Sequence, residues 1–221
     1  MVEQALWERQ AVGSNPIVPI RIYNFFISVM SNKESVTVVG TFEKILPSKL
    51  VDMMREEIEY LMEEDYMQAT TGPIETCETN LKTRSTKISW WDKNHWASSI
   101  FWHYFNRANI DIWEYDLTDI ETIQITKYEP GDHYTWHCDY GADDEDDLTR
   151  KLSATLLISD PSEYEGGEFE IIDYSGAALT LPKLKGTIII LSVSRKRLQD
   201  MLLYLVVFLV EVTFVCMQLL V

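Results

Sequence analysis

Apolar residues recur along this chain with two different periods, and the change from one to the other near Ile120 divides it. Before that point, Pro47-Ser48 opens a segment in which Leu50, Met54, Ile58 and Leu61 fall on one face, the repeat of an amphipathic helix. Glu56, Glu57, Glu59, Glu63 and Glu64 occupy its other face and read as the solvated side. A short β-branched run, Val36 to Val39, precedes this helix. A polar connection containing Thr and Gly follows it over residues 67–83, and Lys87 to Trp91 then reads as a strand. A second helix, from about Asn94 to Asn109, carries Trp96, Ile100, His103 and Tyr104 at near-helical spacing, with His103 expected as a packed or hydrogen-bonded core histidine and His95 at the surface. From Ile120 onward the period is two, Ile123 and Ile125 alternating against Gln124 and Thr126. Further strands are expected at Leu152 to Ile158, Glu168 to Ile172 and Gly186 to Leu191, separated by Pro, Gly and Asp. Helices first and closely spaced strands afterwards predict an α+β chain, a β-sandwich or barrel core buttressed by N-terminal helices.

The two ends differ from this middle. Residues 1–30 lack the cationic start and cleavage site of a secretory signal, although Ile22 to Val29 is apolar. They read either as an ordinary flexible arm or as an extension that is not native, since Gly13-Ser14-Asn15-Pro16 is what the invariant arm of a transfer-RNA gene gives when translated in one frame; Met30 is then the natural start. At the other end Met201 to Val221 carries Glu211 as its one charge and has the length of a membrane-spanning helix. Arg195, Lys196 and Arg197 would then lie on the cytoplasmic side. The competing reading of residues 192–221 is the out-of-frame translation of a normal ending. The organisation expected is therefore an extension over 1–30, a domain over 31–191 and an apolar tail over 192–221.

Composition narrows the partners. With 46% hydrophobic and 12% aromatic residues over 221 positions, the chain can bury a substantial core. A formal charge of -16 argues against nucleic acid, whose phosphates are bound through clustered Lys and Arg. Cys77, Cys138 and Cys216 are too few and scattered for a disulfide framework or zinc knuckle, which makes a reducing, cytoplasmic compartment the default and a membrane location dependent on the tail. Cys138 reads as structural. The acidic run Asp143 to Asp147 could steer a basic substrate or hold calcium, but reads first as a solvated loop lacking calcium-site spacing.

The candidate chemistry lies where the strands begin. Ile123 to Tyr128 runs into Pro130-Gly131, the chain turns, and Tyr134-Thr135-Trp136 leads into His137-Cys138-Asp139. Residues two apart on a strand point to one side, so His137 and Asp139 can converge on one ion while Cys138 faces away. An imidazole and a carboxylate with open positions suit ferrous iron. Taken alone, His-x-Asp is common and also fits a surface strand end. Asp132 and His133 could contact substrate or serve the turn.

In its ordered blocks the sequence resembles the iron(II)- and 2-oxoglutarate-dependent dioxygenases of the prolyl 4-hydroxylase-like group. The places of the group's Tyr-x-x-Gly turn, nearby Tyr and His-x-Asp are taken by Tyr128, Gly131, Tyr134, His137 and Asp139. Leu152 to Ile158 resembles the strand after the metal loop, Tyr164-Glu165-Gly166-Gly167-Glu168-Phe169 the Gly-Gly hairpin, and Gly186 to Ile190 the strand before a distal histidine. The resemblance implies a double-stranded β-helix, or jelly roll, with N-terminal supporting helices. It implies His137 and Asp139 as ligands of Fe(II), Tyr128 as a hydrogen-bond donor to 2-oxoglutarate, Tyr134 as a pocket residue, and ascorbate as the reductant that keeps iron ferrous. The implied reaction hydroxylates a peptidyl prolyl or other side chain of a peptide or small molecule, releasing succinate and carbon dioxide.

One element of the pattern is absent. All four histidines lie at or before position 137, and after Gly186 to Leu191 the chain gives Ser192-Val193-Ser194-Arg195-Lys196-Arg197 where the group has its distal His and then an Arg or Lys for 2-oxoglutarate. Arg197 cannot substitute, because a protonated guanidinium offers a metal no lone pair. Codons for Gln199 to Tyr204 can be chosen so that the shifted frame reads Arg-Tyr-Ala-Leu-Val, similar to the stretch carrying the co-substrate arginine. The alternative to an oxygenase is a non-catalytic jelly-roll binding protein or a tail-anchored pseudo-enzyme.

Overall fold

The computed structural model describes residues 20–29, 32–70, 80–137, 139, 150–172, 178–193, 204–207 and 214–220, with 21–38, 204–207 and 214–220 described as backbone. Strands β1 (Arg21–Val29) and β2 (Asn32–Phe42) pair antiparallel and lead to helix α1 (Ser48–Glu64). Short strands β3 (Met67–Gln68) and β4 (Arg84–Ser85) and strand β5 (Lys87–Trp91) precede helix α2 (Trp96–Ala108), which continues into a π-helical turn over Asn109–Trp113. Eight strands follow: β6 (Ile123–Tyr128), β7 (His133–His137), β8 (Leu152–Leu157), β9 (Phe169–Ile172), β10 (Ala178–Thr180), β11 (Ile188–Ser192), β12 (Tyr204–Val207) and β13 (Phe214–Leu220).

Together with β1 to β5 these strands form two sheets, one in the order β1-β2-β11-β8-β13-β6-β5-β3 and the other in the order β10-β9-β12-β7-β4. From β6 onward the chain crosses from sheet to sheet at every connection except β9 to β10, which is the alternation of a jelly roll. Period two then divides each central strand. Leu152, Ala154 and Leu156 of β8, Ile188 and Ile190 of β11, and Ile123 and Ile125 of β6 share one core with Val51, Met54, Ile58 and Met62 of α1 and Phe101 and Phe105 of α2. The alternate residues Thr126, Tyr128, Ser153, Thr155 and Leu157 are also buried, on the opposite face. The larger sheet is therefore covered on both sides, and its inner face is the more polar.

The boundaries adjust several expectations. Helix α1 buries Val51 and Met62 rather than Leu50 and Leu61, which are partly buried, a rotation of the apolar stripe by about one residue. Helix α2 begins at Trp96, itself 39% exposed, and His103 is exposed, so neither belongs to the core. His95, expected at the surface, caps α2: its Nδ1 accepts from the Ala97 amide at 3.3 Å, its Nε2 lies 2.9 Å from Glu57 Oε1, and its ring stacks on Trp91. Within the 1–30 extension, Arg21–Val29 is strand rather than flexible arm.

The largest correction concerns the apolar tail. Tyr204–Val207 and Phe214–Leu220 are strands, β12 between β9 and β7 and β13 between β8 and β6, so residues 201–221 do not form one membrane-spanning helix. A strand at the centre of a covered sheet is apolar at consecutive positions, the same signal a spanning helix gives, and the Val- and Phe-rich composition of this tail favours strand. The two sheets accordingly extend past residue 191. Among the described residues no helix is long and apolar enough to cross a membrane. Gly13 to Pro16, Cys77, Cys138, Asp143 to Asp147 and Arg195 to Arg197 lie outside the described residues.

Gly186 locks the helical layer to the sheet. Its φ is +75°, its N–H donates to Leu157 O at 2.8 Å, and its carbonyl accepts from the Leu46 amide at 3.2 Å. An added Cβ would stand 2.8 Å from the Leu46 carbonyl oxygen. Gly186→Ala is expected to destabilise the fold by at least about 1–3 kcal/mol, the cost of left-handed backbone alone, measured as a lower urea midpoint at unchanged slope. An unchanged midpoint would show that this backbone geometry is not needed.

Candidate functional site

The site is built on the turn that carries the chain from β6 in one sheet to β7 in the other. Gly131 adopts φ +95°, which a residue with a side chain adopts at a cost. Asp132 closes the turn: its backbone amide donates to Glu129 O at 2.9 Å, and its carboxylate accepts from the Glu129 amide at 2.8 Å and from Ser85 Oγ at 2.6 Å. Asp132 therefore has the turn role, and His133 is turned toward Lys82 O at 3.3 Å.

Strand β7 ends on His137, and its imidazole orientation is set from behind. His137 Nδ1 lies 2.8 Å from the Thr135 carbonyl oxygen, a contact in which only a ring N–H can donate. That bond places the proton on Nδ1 and leaves the lone pair on Nε2. Nε2 is buried, has no hydrogen-bond partner among the described residues, and lies 3.3 Å from Asp139 Oδ1. The other oxygen, Asp139 Oδ2, accepts from Ser153 Oγ at 2.7 Å, reaching across from the inner face of β8. Burial pushes the Asp139 carboxyl up, but with the His137 imidazole in its protonated, donating form that ring, the Ser153 hydroxyl and the Arg150 charge outweigh it and hold the group below the usual carboxylate range. Arg150 is itself oriented by Glu121, with contacts of 2.7 and 2.9 Å.

An imidazole lone pair without a donor, facing an ionised carboxylate oxygen, fits a shared cation. Nitrogen and oxygen donors together suit a first-row metal such as ferrous iron. Among the described residues no group of three or more His, Cys, Asp or Glu side chains converges, so the pair stands without a third protein ligand there. The register locates the gap: Leu205 of β12 is the residue directly opposite His137.

Of the remaining expected residues, Tyr134 touches this pair. Tyr134 stacks on His137 with ring centroids 3.4 Å apart and planes 13° from parallel. Tyr128 ends β6 at 2% exposure, on the inner face with Thr126. Two further residues were not legible as site residues. Ser153 sits inside an unbroken buried run, and only its parity with Thr155 marks it as inward-facing. Arg84 lies in β4, which pairs with β7 so that Arg84 is opposite Tyr134, and its Cζ is 4.4 Å from the centre of that ring. Ser153→Ala removes the oxygen that orients Asp139 and is expected to weaken divalent-metal affinity about tenfold, read by titration with Mn(II). Equal affinities would remove Ser153 from the site.

With the two sheets and the His137–Asp139 pair in place, comparison with known proteins shows what the chain is similar to. Residues 123–201 match the 2OG-Fe(II) oxygenase superfamily. A PKHD-type hydroxylase of Janthinobacterium sp. (strain Marseille) is 41% identical over 63 residues, which span 26% of this chain and 28% of that protein's length. A Pseudomonas putida prolyl-4-hydroxylase superposes with a TM-score of 0.62 at 17% identity, covering 82% of this chain and 90% of that one. A Trichoplax adhaerens prolyl hydroxylase, solved in complex with a peptide fragment of the oxygen degradation domain of hypoxia inducible factor, gives 0.65 at 12% identity over 82% of each chain. A viral collagen prolyl hydroxylase from Paramecium Bursaria Chlorella virus-1, solved as a 2OG complex, gives 0.57 at 17% identity over 83% of this chain and 94% of that one. Over residues 123–201 the chain thus resembles the 2OG-Fe(II) oxygenase superfamily, and its fold is similar to that of solved prolyl hydroxylases.

Proposed function

We propose that this chain is an Fe(II)- and 2-oxoglutarate-dependent dioxygenase that hydroxylates a peptidyl prolyl or other side chain, with His137 and Asp139 as its protein ligands to iron. The observation that carries the reading is the His137 tether: a Thr135 carbonyl holds Nδ1 while Nε2 faces Asp139 Oδ1 at 3.3 Å. When bound, the iron supplies oxygen activation coupled to oxidative decarboxylation of the keto acid. The protein's own part is geometric. Thr135 fixes the imidazole tautomer, Ser153 fixes the carboxylate, and the covered sheets limit access of water. Tyr128 binds 2-oxoglutarate, Tyr134 shapes the pocket, and ascorbate serves as reductant. Helices α1 and α2 act as the support that keeps the larger sheet in place. A peptide substrate is favoured by the Trichoplax relative, whose structure holds one.

A two-ligand site holds iron more weakly than one with three protein ligands, so activity is expected to rise with Fe(II) concentration over a wide range. The experiment is succinate formation from 2-oxoglutarate by the purified chain under ferrous iron, ascorbate and oxygen. Succinate that depends on Fe(II) and on His137 supports the reading. Specific binding of a peptide without iron-dependent succinate at any Fe(II) concentration would favour the second reading, a non-catalytic jelly-roll binding protein, which the lack of a converging third ligand among the described residues supports.

A further inference from the structure

We propose that Arg84 forms a buried carboxylate-binding subsite beside the His137–Asp139 pair, an inference that rests on the site assignment above. Arg84 is 6% exposed, and its Nε is buried with no hydrogen-bond partner among the described residues. A guanidinium stays protonated, and removing that charge from water without an anion is strongly unfavourable. Its contact to a ring face, Cζ 4.4 Å from the centre of Tyr134, offsets part of that cost but satisfies none of the N–H donors. Among the described residues no carboxylate pairs with it.

The same geometry says where an anion bound by Arg84 would lie. Arg84 lies on Tyr134, and Tyr134 lies on His137 with centroids 3.4 Å apart, so the three planar groups form one stack that ends at the metal pair. The backbone under Arg84 is held on both sides: its amide donates to Asn80 O at 2.9 Å, Thr83 O accepts from the Thr135 amide at 2.8 Å, and Ser85 Oγ donates to Asp132 at 2.6 Å. The fork is thus presented from a fixed strand edge rather than a loose loop. A planar fork of N–H donors matches a carboxylate by two parallel hydrogen bonds. In a chain of net charge -16, such a local cation is also what allows an anionic ligand to approach.

Two ligands of this site can bring that carboxylate: the keto acid, through the carboxylate far from its keto group, or the substrate, through an acidic side chain. The test is calorimetric titration of the full chain with Mn(II) in place of Fe(II) under nitrogen, using two ligand pairs in which one member lacks the carboxylate in question. One pair is 2-oxoglutarate against 2-oxobutyrate, and the other is a prolyl peptide with Glu against its Gln counterpart. The wild-type chain is expected to prefer the carboxylate by at least about tenfold in one pair, as a charge-assisted bond provides. Arg84→Gln is expected to cut that preference below about threefold, and Arg84→Lys to retain an intermediate value, with Mn(II) affinity unchanged in both. Lost preference in the first pair assigns the carboxylate to the keto acid, and in the second to the substrate. No preference in the wild-type chain, or the same preference in a folded Arg84→Gln chain, overturns the proposal. Repeating the titrations without Mn(II) separates the two readings: an Arg84-dependent preference in a chain that binds no Mn(II) sinks the metal site alone.

Discussion

His137→Ala is expected to lower the affinity of the chain for Mn(II), a redox-silent substitute for Fe(II), by at least about a hundredfold, since even outer-shell partners of a metal ligand command tenfold to a hundredfold. The reasoning is one of donors. Among the described residues His137 contributes the one nitrogen lone pair at the site, pre-oriented by the Thr135 carbonyl, and without it Asp139 alone of them faces a hydrated cation. A single carboxylate gives a divalent ion no geometric discrimination. The effect on folding should be small by comparison, because the side chain lies at the end of β7 and makes one backbone hydrogen bond. Electron paramagnetic resonance of free Mn(II) measures the affinity directly. Equal binding by the wild-type and His137→Ala chains would place the metal elsewhere, the Asp143 to Asp147 run being the first alternative.

The converse substitution has the second large effect. Leu205→His is expected to raise metal affinity by at least about tenfold and to increase iron-dependent succinate formation above that of the wild-type chain. Position 205 is the cross-strand partner of His137 in the antiparallel pair of β12 and β7. Directly opposed residues share a face of the sheet with Cβ atoms about 4.5–5.5 Å apart, within reach of one ion for two imidazoles. Two imidazoles and a carboxylate on one side of an ion form the facial triad of non-haem iron oxygenases. A Leu205→His chain that binds metal no better than wild type would mean that the register of β12 against β7 is not the one that forms the site. The out-of-frame origin of residues 192–221 is tested separately by resequencing the DNA across codons 191–198.

Much of the β core was legible because its spacing is local. Lys87 to Trp91 is strand at the expected limits, and β6, β8, β9 and β11 lie within a residue or two of the runs that predicted them. His137 and Asp139 were expected to converge by strand alternation; β7 ends at His137 and Asp139 lies beyond it, while the two side chains stand 3.3 Å apart. What the sequence hid is of two kinds. The apolar tail was ambiguous because a doubly covered strand and a spanning helix have the same hydropathy, and only the open places between β9 and β7 and between β8 and β6 decide between them. Ser153 and Arg84 were hidden because their partners, Asp139 and Tyr134, lie in distant segments of the chain, and no local period encodes a contact between such segments. His95 was misplaced for a similar reason: its cap is local, but Glu57 and the Trp91 ring that enclose it are not part of its own helix.

The central claim is that the His137–Asp139 pair holds the iron of a 2-oxoglutarate-dependent oxygenase. The most direct measurement is the conversion of isotope-labelled 2-oxoglutarate to succinate, followed by nuclear magnetic resonance over a range of Fe(II) concentrations. The wild-type, His137→Ala and Leu205→His chains are compared side by side. Iron-dependent succinate from the wild-type chain, its loss in His137→Ala and its increase in Leu205→His are the predicted results. Succinate formed equally by the wild-type and His137→Ala chains, or by neither the wild-type nor the Leu205→His chain at saturating iron, would contradict it.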